Sequence, residues 1–193
     1  MRYPTKRPLL RPLTSGLALT LLALGGCATA PVPAQTTTSS NALLLATLYC
    51  NTSAEYAAAC VGTYRSAGAQ LPGLLKDLSH TAALEQTLPF RDLPPAIILD
   101  VDETVLDNSP SEVRLIQTGT SYPEGWDAWC MEAQAKPVPG ALEFTTRAAK
   151  LGVTVFYVTN RKAHLKAGTL QNLKDQGFPM HPTVDTLLMR GDR

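Results

Sequence analysis

Four apolar residues, Ala96 to Leu99, deliver the chain into Asp100-Val101-Asp102-Glu103-Thr104. Two acids spaced this closely repel each other, and each costs solvation energy if partly buried. In extended chain, residues i and i+2 point the same way, so Asp100 and Asp102 aim at one small volume. A carboxylate there can attack phosphorus and form an aspartyl-phosphate, a role we assign to Asp100. Asp102 can protonate the leaving alkoxide and later take a proton from the attacking water. An anionic substrate facing two carboxylates calls for a hard divalent cation with oxygen ligands, Mg²⁺ by preference.

A second apolar run, Gly152 to Asn160, ends in Thr159-Asn160 ahead of a predicted helix. Helix N-termini offer free N–H groups and a partial positive charge. Thr159 is therefore expected to hydrogen-bond a phosphoryl oxygen, with backbone N–H groups near Asn160 assisting. Arg161 either touches substrate or serves the helix start. Glu103 and Thr104 are expected to fix the shape of the first loop.

The elements that must position these residues read as α/β. Asn41 to Leu71 is rich in Ala and Leu with apolar residues every three or four positions, a helical pattern. Asn51 to Glu55 either interrupts that helix or caps a second one. Leu71 to Leu88 reads as further helix, and Asp92-Leu93-Pro94-Pro95 punctuates it. From Ala96 the continuous apolar run is that of a strand in a parallel sheet covered on both faces. Pro139 to Gly152 is a helix with Pro at its start and Gly at its end. Arg161 to Gly177 is another, and Thr183 to Met189 a third strand. Strand, helix, strand, helix, strand predicts a right-handed parallel sheet, whose ligands bind at the carboxyl edge of the strands. Asp100 falls on that edge.

The balance of charge, +1 over 193 residues, makes no electrostatic case for nucleic-acid binding. The first 26 residues read as an export signal: Arg2, Lys6, Arg7 and Arg11 precede a short apolar run from Leu17 to Leu24. That run is too short to span a bilayer. One reading is a cleaved signal and a soluble secreted product. The sharper one is a lipobox, Leu24-Gly25-Gly26-Cys27, with Cys27 lipidated and the protein anchored to a membrane. Ala28 follows Cys27 in place of the Asp that favours inner-membrane retention in enteric-type bacteria, so outer membrane is the expected address. Residues 27–40 read as a Pro/Thr/Ser tether, 41–92 as a helical region and 93–193 as the catalytic core. Cys50 and Cys60, on one helix, would lie about 15 Å apart and could not bridge. Cys130 pairs with either of them, or all three are small buried thiols.

The segment Asp100 to Thr104, with Val105-Leu106-Asp107-Asn108 behind it, resembles the first signature of class C nonspecific acid phosphatases, bacterial lipoproteins of the haloacid dehalogenase superfamily. Val155 to Arg161 resembles the superfamily's second motif. Ser53 to Tyr56 and Pro137 to Phe144 are also similar to that family. The resemblance runs from the lipobox almost to the last residue. It implies a haloacid dehalogenase-like sheet with an N-terminal helical segment, and a Mg²⁺-dependent phosphomonoesterase, often acting on 5′-nucleotides, at the outer membrane. Its nucleophile matches Asp100, its acid/base Asp102, its phosphate-binding hydroxyl Thr159, and its metal ligands the Asp100 side chain and the Asp102 backbone carbonyl.

Three departures stand out. Ser111 occupies the place of a substrate-stacking Tyr; Trp126 and Trp129 either supply an aromatic wall instead or are core and loop anchors. The family continues with a phosphate-stabilising Lys, and then with a Gly-Asp-Asn-type motif that completes the metal site. This sequence ends at Arg193, before both. Lys162 and Lys166 are read as solvated helix residues, and Asp185 and Asp192 as no substitute for the missing ligand. The expectation is a fragment whose three-stranded sheet exposes apolar edge and face. The alternative to an active enzyme is a silent envelope lipoprotein that binds phosphorylated ligands or a partner.

Overall fold

The structure, a computed structural model, describes residues 39–87 and 89–192. Cys27 and the expected signal lie outside the described residues, as do positions 28–38 of the tether. Two helices come first: α1 (Ser39–Thr52) and α2 (Ala54–Leu74). Of the two readings of Asn51 to Glu55, the cap of a second helix holds: the extended backbone at Ser53 leaves its side chain free to accept from the N–H groups of Glu55 and Tyr56. That is an N-cap, and it forces a new helix axis. Cys50 and Cys60 therefore sit on different helices, not one, and both are free thiols, as is the buried Cys130. The helix expected from Leu71 to Leu88 is not there. Helix α2 runs through Pro72 and stops at Leu74, and the described residues from there to Pro95 are turns and irregular chain. Asp77 supplies the reason: its carboxylate accepts from Ser79 N–H and Oγ–H, closing a turn that competes with helix.

The core follows the expected alternation. Strand β1 (Ala96–Leu99) is followed by a short antiparallel pair, β2 (Leu106–Asp107) with β3 (Lys136–Pro137), which encloses α3 (Ser109–Thr118) and α4 (Trp126–Glu132). Then come α5 (Ala141–Lys150), β4 (Thr154–Lys162), α6 (Lys166–Asp175) and β5 (Leu187–Arg190). Strands β1, β4 and β5 form one parallel sheet in the order β1-β4-β5, with Leu99 beside Tyr157 and Tyr157 beside Leu187. Strand β4 is longer than expected. It continues through Asn160 and Arg161 to Lys162, with a register shift against β5 between Val158 and Lys162, and a single 3-10 turn (Ala163–Leu165) precedes α6. The helix start expected beside Thr159-Asn160 is thus displaced down the chain.

One face of the sheet, through Val155, Tyr157, Leu187 and Met189, packs into a core with Ala148, Leu173 and Phe178 from α5, α6 and the loop after it. The other face presents Ile98, Val158 and Leu188 to water, the apolar exposure expected for this sheet. A close crossing fixes α6 against α4. A Cβ on Gly168 would stand 2.5 Å from the Cys130 carbonyl oxygen and 2.8 Å from Met131 Cα. Both are backbone atoms, so Gly168→Ala must push the helices apart. We expect it to lower unfolding stability by about 1–3 kcal/mol, read as a shift of the denaturant midpoint at unchanged slope.

Candidate active site

Asp100 lies just past the end of β1, and Asp102 two residues on in a tight loop. That loop closes on itself: Leu106 N–H and Val105 N–H both donate to the Val101 carbonyl, and Glu103 N–H to the Leu106 carbonyl. Glu103 sits at φ +53°, a left-handed conformation that a non-glycine residue adopts at some cost. Its carboxylate accepts the Asn108 N–H at 2.9 Å, which helps hold the turn. Glu103 does fix the loop, as expected. Thr104 does so through its backbone, because the Tyr64 hydroxyl on α2 donates to the Thr104 carbonyl at 2.6 Å. The N-terminal helices thus brace the loop.

The Asp102 carboxylate is turned toward β4. Its Oδ1 accepts from Arg161 Nη2 at 2.7 Å, Asn108 Nδ2 at 2.8 Å and Arg161 Nε at 3.0 Å. Its Oδ2 has only long contacts, 3.4 Å each, with Thr159 Oγ1 and Arg161 Nε. Arg161 also donates through Nη2 to Asn108 Oδ1 and through Nη1 to Thr169 Oγ1, both at 3.1 Å. Four of its five N–H groups are therefore engaged. The Arg161 side chain is 1% exposed and that of Asp102 24%. The guanidinium lies 5.3 Å from the Trp126 ring centroid, within cation–π range. Arg161 belongs to a strand, not a helix start, and in this structure its fork holds Asp102.

Asn108 Oδ1 also accepts the Trp129 indole N–H at 2.9 Å, so Trp129 is a buried anchor of the loop and not a wall. Trp126 is different. It is half-buried, meets Tyr122 edge to face at 5.8 Å, and lines a small cleft with Tyr122, Pro123, Asn160, Lys162 and Arg190. Asn160 points outward on β4 between the inward-facing Thr159 and Arg161. Ser111, in the first turn of α3, is buried.

Asp100 is exposed, yet its carboxyl is pushed above the ordinary carboxylate range. Partial burial against the strand end is the largest cause and the Asp102 charge adds to it, while the Val101 N–H and Arg161 oppose it. The hydroxyl expected to bind phosphate, Thr159 Oγ1, accepts the Arg161 N–H at 3.1 Å. The two lysines part company. Lys162 is exposed in β4, whereas Lys166 is not a solvated helix residue: its Nζ binds Asp185 at 2.6 Å and Asp192 at 2.7 Å, clasping α6 to both ends of β5. Among the described residues no group of three or more His, Cys, Asp or Glu side chains is placed to hold a metal. What the edge offers is the Asp100 carboxylate and the Asp102 carbonyl. These hard oxygen donors suit Mg²⁺, which is held by one or two protein oxygens and keeps several waters.

Sequence reasoning missed two supports. Thr169 is eight residues from the arginine it binds and shows no local signal. Tyr64 is forty residues from the loop it braces, on a helix with no chemistry of its own.

A parallel sheet with paired aspartates beyond its first strand and a Thr-Asn-Arg segment ending the neighbouring strand defines a haloacid dehalogenase-type protein. The chain belongs to subfamily IIIB of that superfamily, the acid phosphatases, whose family model matches residues 28–193. Two solved structures are similar to it. The class C acid phosphatase from Bacillus anthracis with tungstate bound is 32% identical, with a TM-score of 0.68. A second structure of the class C acid phosphatase from Bacillus anthracis is 32% identical, with a TM-score of 0.67. Each match covers 78% of this chain and 58% of the other, so the chain spans less than two thirds of the length of those enzymes.

Proposed function

We propose that the protein is a Mg²⁺-dependent acid phosphatase that hydrolyses small phosphomonoesters, 5′-nucleotides among them, through a phosphoryl group carried on Asp100. The observation that carries this reading is the Asp102 carboxylate turned across the β1–β4 pair to the Thr159 hydroxyl, 3.4 Å away, with the exposed Asp100 carboxyl near enough to feel the Asp102 charge. An Asp100 oxygen attacks phosphorus, the ester P–O bond breaks, and Asp102 protonates the departing alkoxide. Oδ2 suits that exchange, since its contacts are long while Oδ1 is held by three donors. Asp102 then takes a proton from water, which attacks phosphorus and releases phosphate and free Asp100. Thr159 and the N–H groups around Asn160 bind the phosphoryl oxygens. Trp126 and Tyr122 form an aromatic wall for the leaving group, and Arg161 holds Asp102 in place. Mg²⁺, held by the Asp100 carboxylate and the Asp102 carbonyl, would offset the charge between nucleophile and substrate. Cys27 carries lipid and anchors the protein to the outer membrane.

The described residues place no group of three or more His, Cys, Asp or Glu side chains around a metal, and this favours a second reading, a phosphate-binding lipoprotein without turnover. Phosphate release from an aryl phosphate and a 5′-nucleotide separates the two. With Mg²⁺ present, turnover is expected. After chelation by EDTA it should fall at least about 100-fold and return on adding Mg²⁺. Phosphate binding with no release under either condition would establish the second reading.

A further inference from the structure

Helix α1 carries no charged residue in its fourteen positions, and its polarity is inverted. Thr47 faces inward at 7% exposure, its hydroxyl without a partner among the described residues. Outward stand Leu44, Leu45, Leu48 and Tyr49, at 39%, 68%, 48% and 46% exposure. Spaced three and four apart, they form one patch and not scattered apolar residues. Tyr49 meets Tyr56 of α2 edge to face at 5.9 Å, but packing within the fold does not account for the three leucines, since the fold buries the threonine and leaves them out.

We propose that this face of α1 lies on a lipid surface. The helix has no charge to desolvate, so its contact is apolar and indifferent to headgroup charge, unlike that of a basic amphipathic helix. Tyr49 adds a ring with an apolar body and a polar tip, suited to the membrane–water boundary. No described helix is long and apolar enough to cross a membrane, so the contact runs along the surface. The chain's connectivity favours lipid over a protein occupant. Eleven residues separate Cys27 from Ser39, a span of at most about 40 Å however they are arranged. On the reading that Cys27 is lipidated, on which this argument rests, α1 is the first described element after the anchor and meets the bilayer at high effective concentration.

The test places an indole on the patch. The full chain carrying Tyr49→Trp is reconstituted in phosphatidylcholine vesicles with and without brominated acyl chains, and the unsubstituted chain gives the background from Trp126 and Trp129. We expect the introduced indole to lose more than half its emission to bromine, equally in 1 M NaCl and with phosphatidylglycerol added. Leu45→Gln with Leu48→Gln in the same chain should remove most of that quenching, with unchanged circular dichroism. The mass of the N-terminal peptide reports acylation separately. An acylated chain without quenching overturns the lipid contact, whereas an unacylated chain that is still quenched keeps the contact and removes the anchor. Quenching lost in high salt also overturns it. So does a blue shift that grows with protein concentration without lipid, which would put a second copy on this face.

Discussion

Asp100→Asn is expected to remove phosphate release, by about 10³-fold at least, while the fold survives. The substitution keeps shape and takes away the attacking oxygen's charge. Asp100 is exposed, and the Val101 N–H that bonds its carboxylate can bond the amide oxygen of asparagine instead. Its carboxyl already sits above the ordinary range because of burial and Asp102. Ionisation there works against folding, so the neutral amide should leave the melting temperature level or slightly raised. Steady-state phosphate release and a thermal melt on the same preparation check both halves. Retained turnover would show that another group attacks phosphorus. Lost turnover with a collapsed melt would make the residue structural.

The second large effect is on stability. Arg161→Met should cost about 3 kcal/mol, toward the lower end of the range for breaking a buried pair because Asp102 keeps some access to water. At this chain length that corresponds to a melting temperature about 6–12 °C lower. The loss is not confined to one ion pair. Asp102 loses two donors' worth of contact, Asn108 Oδ1 and Thr169 Oγ1 each lose a donor, and Trp126 loses the cation beneath its ring. Arg161→Lys should recover less than half. A single ammonium can reach Asp102, but it cannot bridge to Thr169 and Asn108 together. Equal melts for the arginine and lysine forms would mean that charge alone matters at this place.

The parallel sheet and the alternation of its strands and helices were legible because buried parallel strands are written as unbroken apolar runs, and Pro139 and Gly152 bracket a helix between two of them. The positions of Asp100, Asp102 and Thr159 at the sheet edge were legible for the same reason, since the two acids follow one such run and Thr159 lies at the end of another. The errors fall where local pattern and local chemistry compete. A second helix capped near Ser53 was one of two readings, but Cys50 and Cys60 were placed on one helix, and the Ser53 hydroxyl, by capping the new helix, separates them. Leu71 to Leu88 has helical composition but lost to the turn at Asp77 and Ser79. Arg161 was read at a helix start because Asn160 resembles a strand end. Strand β4 in fact runs on to Lys162, and alternation along it turns the arginine inward. The partners that make Arg161 structural, Thr169 and Asn108, come together only in three dimensions.

The bare side of the sheet, with Ile98, Val158 and Leu188 in the open, has a practical meaning for anyone handling the isolated polypeptide. Such a surface adheres to plastic, to chromatography resin and to other molecules of its own kind. Specific activity that declines as the sample is concentrated, and recovers on dilution or with a trace of mild detergent, would then report occlusion by stickiness and not a defect in the phosphoryl chemistry.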